Sequence, residues 1–220
     1  MDYNTLIAAK STDGSVASWT LDSRIVGSVP AIIDDAMAAI FRRLRHWRML
    51  TKVDIQLTQG SDTIALPDDF LESVQLSITG TEFGILRMRT PEYLDAGAQF
   101  DAQGNRAQAK PMAYAVAGTN IELDYVADKT YPATLRYYAQ PAALSATNPT
   151  NFLTVFYPRL VRCAIMMCAV EWMKESGQGS FDRTYWAQLT QAEITAAQAE
   201  SDRVATRLRQ PVTFDTAGDA

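Results

Sequence analysis

His46 is the only histidine in 220 residues, so any histidine-dependent metal site or nucleophile–base pair has to be built round this one position. It stands in FRRLRHWRM, at the end of a run with helical apolar spacing, where a helix C-terminus favours a polar or cationic side chain. No partner motif accompanies it, and the residues support a capping or packing role. Cys163 and Cys168 are the only cysteines. Five apart on a helix, they lie roughly 140° apart round its axis. That disfavours a shared disulfide or metal site and points to reduced core thiols in a cytoplasmic protein. Gly177-Gln178-Gly179 lacks the flanking strand, third glycine and lysine of a phosphate loop, and G-x-S-x-G, H-E-x-x-H and C-x-x-C are all absent. Asp34-Asp35 and Asp68-Asp69 are the carboxylate pairs that could serve a glycosidase. Adjacent acids at helix starts and turns are usually solvated or capping, so no catalytic residue, metal ligand or cofactor is assigned.

The one strongly basic stretch holds Arg42, Arg43, Arg45, Arg48 and Lys52. It reads as a solvated helix face suited to the C-terminal dipole, or as an interface patch toward a neighbouring subunit or DNA. Tyr114, Tyr125, Tyr131, Tyr137 and Tyr138 could stack bases or sugars, but strand tyrosines more often pack half-buried in a sheet. The net charge of −5 argues against general phosphate neutralisation. The start has neither the basic nor the apolar region of a signal peptide. The longest apolar run, Cys163 to Val170, is far short of the ~18 residues of a membrane span, which points to a soluble chain.

These residues are positioned by elements that the spacing predicts. Residues 29–47 carry Ile33, Met37, Ile40, Phe41, Leu44 and Trp47 at helical steps, started by Ser28 and Pro30. Tyr3 to Ala9 and Ser15 to Ser23 read as short helical pieces. Val53, Ile55 and Leu57 alternate up to Gly60-Ser61-Asp62, and Ile64 and Leu66 follow, a hairpin pattern. Val74, Leu76 and Ile78 lead through Gly80 to a return strand at Ile85 to Met88, and 91–99 reads as a short helix. Phe100 to Lys110 reads as a loop. Met112 to Tyr138 reads as a three-stranded meander. Asn151 to Ser176 and Phe181 to Leu208 read as an antiparallel helix pair joined at Gly177 to Ser180. The expected class is α+β: a helical bundle body, of N-terminal helices plus the long C-terminal pair, with an inserted antiparallel β-rich region. The expected division is 1–52 and 141–208 for the body, 53–140 for the β region and 209–220 for a flexible tail.

Several segments resemble the head-to-tail adaptor proteins of tailed bacteriophages, also called tail accessory, gatekeeper or connector proteins. They are IFRRLRHW, TIALPDDFLESVQL, TPEYLDAG and NIELDYVADKTYPATLRYYAQPAALSATNPTNFLTVFYPRLV, with the long helices that follow. The resemblance implies a structural protein and no enzyme. It implies a ring, generally of twelve copies, that docks beneath the portal protein, extends the DNA channel and offers a platform to a tail nozzle or other tail protein. A ring needs two different complementary faces on each copy. The resemblance places the chain at the head-tail junction of the virion, made in the host bacterial cytoplasm. It implies that the C-terminal segment reaches the portal, with Pro211, Val212 and Phe214 as anchors. Arg42, Arg43, Arg45 and Arg48 are then candidates for a subunit or DNA-channel interface. Genomic DNA passes through without sequence-specific binding, which overall acidity suits. A tail-tube or baseplate component and a carboxylate-dependent cell-wall polysaccharide hydrolase are the alternative readings.

Overall fold

The computed structural model describes residues 1–7, 27–100, 104–175 and 182–209. The expected helical piece at Ser15–Ser23, the turn at Gly177–Ser180 and residues 210–220 lie outside the described residues. The chain divides into two compact units, 49–140 and the combination of 1–48 with 141–220.

The continuous unit is built round a seven-stranded sheet. Its strands are β1 (Leu50–Leu57), β2 (Thr63–Ala65), β3 (Phe70–Ile78), β4 (Gly84–Met88), β6 (Ala113–Ala117), β7 (Asn120–Leu123) and β9 (Tyr131–Ala139). Their order across the sheet is β1-β9-β3-β4-β6-β7-β2, and the short strands β5 (Gln108–Ala109) and β8 (Val126–Ala127) form a separate parallel pair. One face of the sheet carries the core: Leu57, Leu76, Leu86, Tyr131, Leu135 and Tyr137 lie on it, with Tyr114, Ile121 and Leu123 in the same buried cluster. Each buried tyrosine hydroxyl has a partner, as burial demands. Tyr114 pairs with Ser73 Oγ at 2.7 Å, Tyr131 donates to Asp128 at 2.6 Å and Tyr137 donates to Asp69 at 2.8 Å. Burial, and then the Asp69 hydrogen bond, push the Tyr137 phenol up to about 12.

This sheet overturns the expected class: the fold is β-rich round a mixed sheet, and no helical bundle with an antiparallel insertion describes it. β4 and β6 run parallel because the chain between them passes through α3 (Pro91–Ala96), a crossover of the kind that parallel strands require. The predicted meander is also corrected. β6 and β7 form a hairpin through Gly118, at φ 59°, but β9 leaves them to lie between β1 and β3. The hairpin expected over 53–66 does not form either, since β1 pairs with β9 and β2 with β7. The β3–β4 hairpin forms as the alternation predicts, with Gly80 at φ 84° beginning the connection.

In the other unit, α1 (Tyr3–Ile7) precedes α2 (Val29–Phe41), whose buried side chains Ile32, Ile33, Ala36, Met37 and Ile40 recur at helical spacing. The predicted 151–176 helix is broken in two, α4 (Phe152–Phe156) and α5 (Pro158–Glu175). Pro158 has no N–H for a continuous ladder and disfavours helical backbone at Tyr157, which sits at φ −128°, ψ 49°. An Asn151–Thr154 capping box starts α4. α6 (Arg183–Arg209) packs on α5, with ion pairs Arg159–Glu193 at 3.2 Å and Arg183–Glu171 at 2.6 Å. Cys163 and Cys168 are buried free thiols of α5, and burial pushes Cys168 up to about 11.

Leu135 lies on β9 between Val53 and Leu76 and is 1% exposed. Leu135→Ala is expected to cost about 2–5 kcal/mol in a urea titration, the range for truncating a well-packed core leucine.

Candidate assembly surface

The predicted helix over 29–47 stops at Phe41, and residues 42–48 leave it as an irregular segment ending in the single 3-10 turn Trp47–Met49. All four candidate arginines are on or next to this segment. The helix ends here because side chains take over the backbone groups that further turns would have satisfied. Arg45 donates from Nη1 to the carbonyls of Phe41, at 2.7 Å, and Leu44, at 3.0 Å. The Arg45 N–H donates to Gln198 Oε1 at 3.1 Å, and the Trp47 N–H to Ser201 Oγ at 3.0 Å.

His46, expected at a helix end, lies instead in this segment and is fully buried. The Arg48 N–H donates to its Nδ1 at 3.3 Å, which leaves the proton of the neutral ring on Nε2. Nε2 is 3.0 Å from the Tyr157 hydroxyl, which donates to Glu200 Oε2 at 2.8 Å. Phe152 stacks on the imidazole with ring centroids 5.5 Å apart. Burial holds the imidazole below its ordinary value of 6.5, with Glu200 opposing and Arg48 reinforcing that shift. Burial and the Glu200 hydrogen bond push Tyr157 up to about 12. A neutral imidazole with both nitrogens engaged and no open face is a structural fastening of the segment, and it leaves no free nitrogen for catalysis.

The arginines themselves have separate settings. Arg43 is exposed and donates to Gln191 Oε1 on α6 at 2.8 Å, while Arg45 is half-buried as a cap. Arg48 is exposed between two rings, 4.4 Å from the centroid of Trp47 and 3.8 Å from that of Phe156. Arg42 is exposed and, with Arg43, borders a groove of about 480 Å³ that also takes in Asp35, Glu171 and Arg183. Among the described side chains of α6, those up to Thr206, only a narrow stripe is buried, Thr190, Ile194, Ala197 and Ser201, while Gln188, Gln191, Ala192, Thr195, Ala196 and Ala199 are exposed. Pro211, Val212 and Phe214 lie outside the described residues.

Residue spacing did not single out Tyr157, Glu200, Gln191, Gln198 or Ser201. The available signal was polar residues at 191, 198 and 201, which share a side of α6 with Ile194 and Ala197. Asp34, Asp35, Asp68 and Asp69 are exposed, and Asp69 is engaged by Tyr137. Among the described residues no group of three or more His, Cys, Asp and Glu could hold a metal ion, and no helix is long and apolar enough to cross a membrane.

The family model described as SU10 adaptor protein matches residues 1–211, and the chain belongs to that family. It is therefore a bacteriophage adaptor, a structural component of the virion that works by contact with other phage head or tail proteins. No individual curated protein matches it.

Two measurements check the fastening. Tyr157→Phe removes the hydroxyl shared by His46 and Glu200 and is expected to cost about 1–3 kcal/mol in chemical denaturation. His46 has a lowered folded pKa, so the unfolded chain takes up the proton first as pH falls. Its contribution is complete above the ordinary imidazole pKa and declines below it. Melts at about pH 7.5 and pH 5.5 are expected to differ more for the native chain than for His46→Gln.

Proposed function

We propose that this adaptor docks as a ring beneath the portal protein, extends the DNA channel and presents a platform to the tail nozzle or another tail protein. The observation that carries the reading is α6: it runs from Arg183 to Arg209, and its described side chains, up to Thr206, bury only a narrow stripe and leave the other side open beside Arg42 and Arg43. A helix of that length with so little buried on its own copy has surface to give to a neighbour. A ring is closed by heterologous contacts, in which one face of each copy meets a different face of the next. Arg42 and Arg43 serve this subunit contact, while Arg45 and Arg48 hold the segment that presents them. Pro211, Val212 and Phe214 anchor the C-terminal segment on the portal. The net charge of −5 lets genomic DNA slide through without sequence-specific binding. The chain on this reading is made in the host bacterial cytoplasm and ends at the head-tail junction.

Mass photometry of the full chain, alone and with the portal ring of the same virus, tests the reading. The expected result is a fixed number of copies added to the portal. Arg42→Glu with Arg43→Glu is expected to reduce that addition while leaving the isolated chain's stability within about 0.5 kcal/mol. Truncation after Arg209 is expected to weaken docking and spare the melting transition. No association at any salt concentration, with binding to a tail-tube protein instead, would overturn the portal assignment.

A further inference from the structure

β1 is an edge strand of the seven-stranded sheet, paired with β9 along its whole length from Leu50↔Tyr138 to Leu57↔Tyr131. No described strand lies on its other side. Three of the devices that blunt an edge are missing: β1 is eight residues long, contains no proline and keeps a continuous register without a bulge. Its outer backbone N–H and C=O groups are a template for another strand. Its charges are one Lys52 and one Asp54, both exposed on the polar face and 3.7 Å apart, with Thr134 donating to Asp54 at 2.8 Å.

We propose that this edge pairs antiparallel with β1 of a second copy of the chain, centred on Val53. Opposed residues of an antiparallel pair both turn their backbone groups toward the shared ladder or both away from it. A strand meeting its own copy can therefore pair only residues whose numbers differ by an even amount. Centred on Val53, the ladder spans 50–56 and sets Lys52 of each copy against Asp54 of the other, twice over. Centred on Lys52 it opposes two lysines, and centred on Asp54 two aspartates, both repulsive. Centred on Ile55 it shortens to 53–57 and forms no charge pair. The chosen register also keeps Thr51, Val53 and Ile55 together on the apolar face. Charge thus selects both the occupant, a second copy, and the register. A two-fold contact closes at two copies, so this pairing belongs to the free chain and stands apart from the ring proposed above.

Sedimentation velocity of the full chain over a concentration series tests it without any portal. The native chain is expected to form a concentration-dependent dimer. Lys52→Asp alone and Asp54→Lys alone each turn two attractions into repulsions and are expected to raise the dimer dissociation constant about tenfold or more. The double exchange Lys52→Asp with Asp54→Lys is expected to restore dimerisation, and the two single variants, mixed, are expected to associate with each other. Circular dichroism confirms that each variant is folded. A native chain that stays monomeric at every concentration overturns the proposal, as does a dimer indifferent to both single changes or a double exchange that fails to restore it.

Discussion

The helical unit depends on a part-buried polar chain, from fully buried His46 to half-buried Tyr157 and Glu200, that joins three distant parts of the sequence. Removed from water, each of these groups would be costly without a partner. Together each satisfies the next: burial holds the imidazole below its ordinary value, and its Nδ1 accepts from the Arg48 backbone N–H. Backbone donors of residues 42–48 fall opposite Gln198 and Ser201 of α6, and Arg45 turns back to close the end of α2. The same segment sets exposed Arg43 against Gln191 of α6.

In the β unit the comparable constraint is the two-sided pairing of β9. Both of its neighbours, β1 and β3, run antiparallel to it, and its inward residues Tyr131, Ala133, Leu135 and Tyr137 lie in the buried cluster. The alternation puts Thr134 and Arg136 on the opposite face, beside Asp54 and Lys52. A strand held on both sides fixes the register of its neighbours, and that leaves β1 as an ordered, straight edge. Tyr114, Tyr131 and Tyr137, which by type could stack bases, instead fill this core, Tyr114 bonding to Ser73 of β3 and Tyr131 and Tyr137 securing turns through Asp128 and Asp69.

Local features of the fold were legible in the sequence, and long-range ones were not. Ser28 and Pro30 mark the start of α2, Gly80 the β3–β4 connection, and Gly118 the β6–β7 turn, because each is decided by the backbone preferences of a few residues. Which strand lies beside which is decided by packing across the sheet. Alternation in Leu135 to Tyr137 is equally compatible with a meander and with the place that β9 takes between β1 and β3. The crossover through α3 likewise made a parallel pair from segments that read as antiparallel. Pro158 was visible as a residue, but its effect, a break after Tyr157 that aims the phenol at His46, needs the tertiary partner to be seen. The segments around LPDDF and LRYYAQP pointed to the phage adaptors, the class to which the match over 1–211 assigns the chain.

The family and the polar network agree on a protein whose side chains hold and present surfaces. In the proposed ring the open side of α6, with Arg42 and Arg43, lies between neighbouring copies. The most direct test is an electron cryomicroscopy reconstruction of the head-to-tail region of the virion. The expected result is this chain as a closed ring against the portal, with α6 of each copy facing the next. A reconstruction that finds the chain only in the tail tube or baseplate, or in the ring with α6 turned wholly to solvent, would contradict that arrangement.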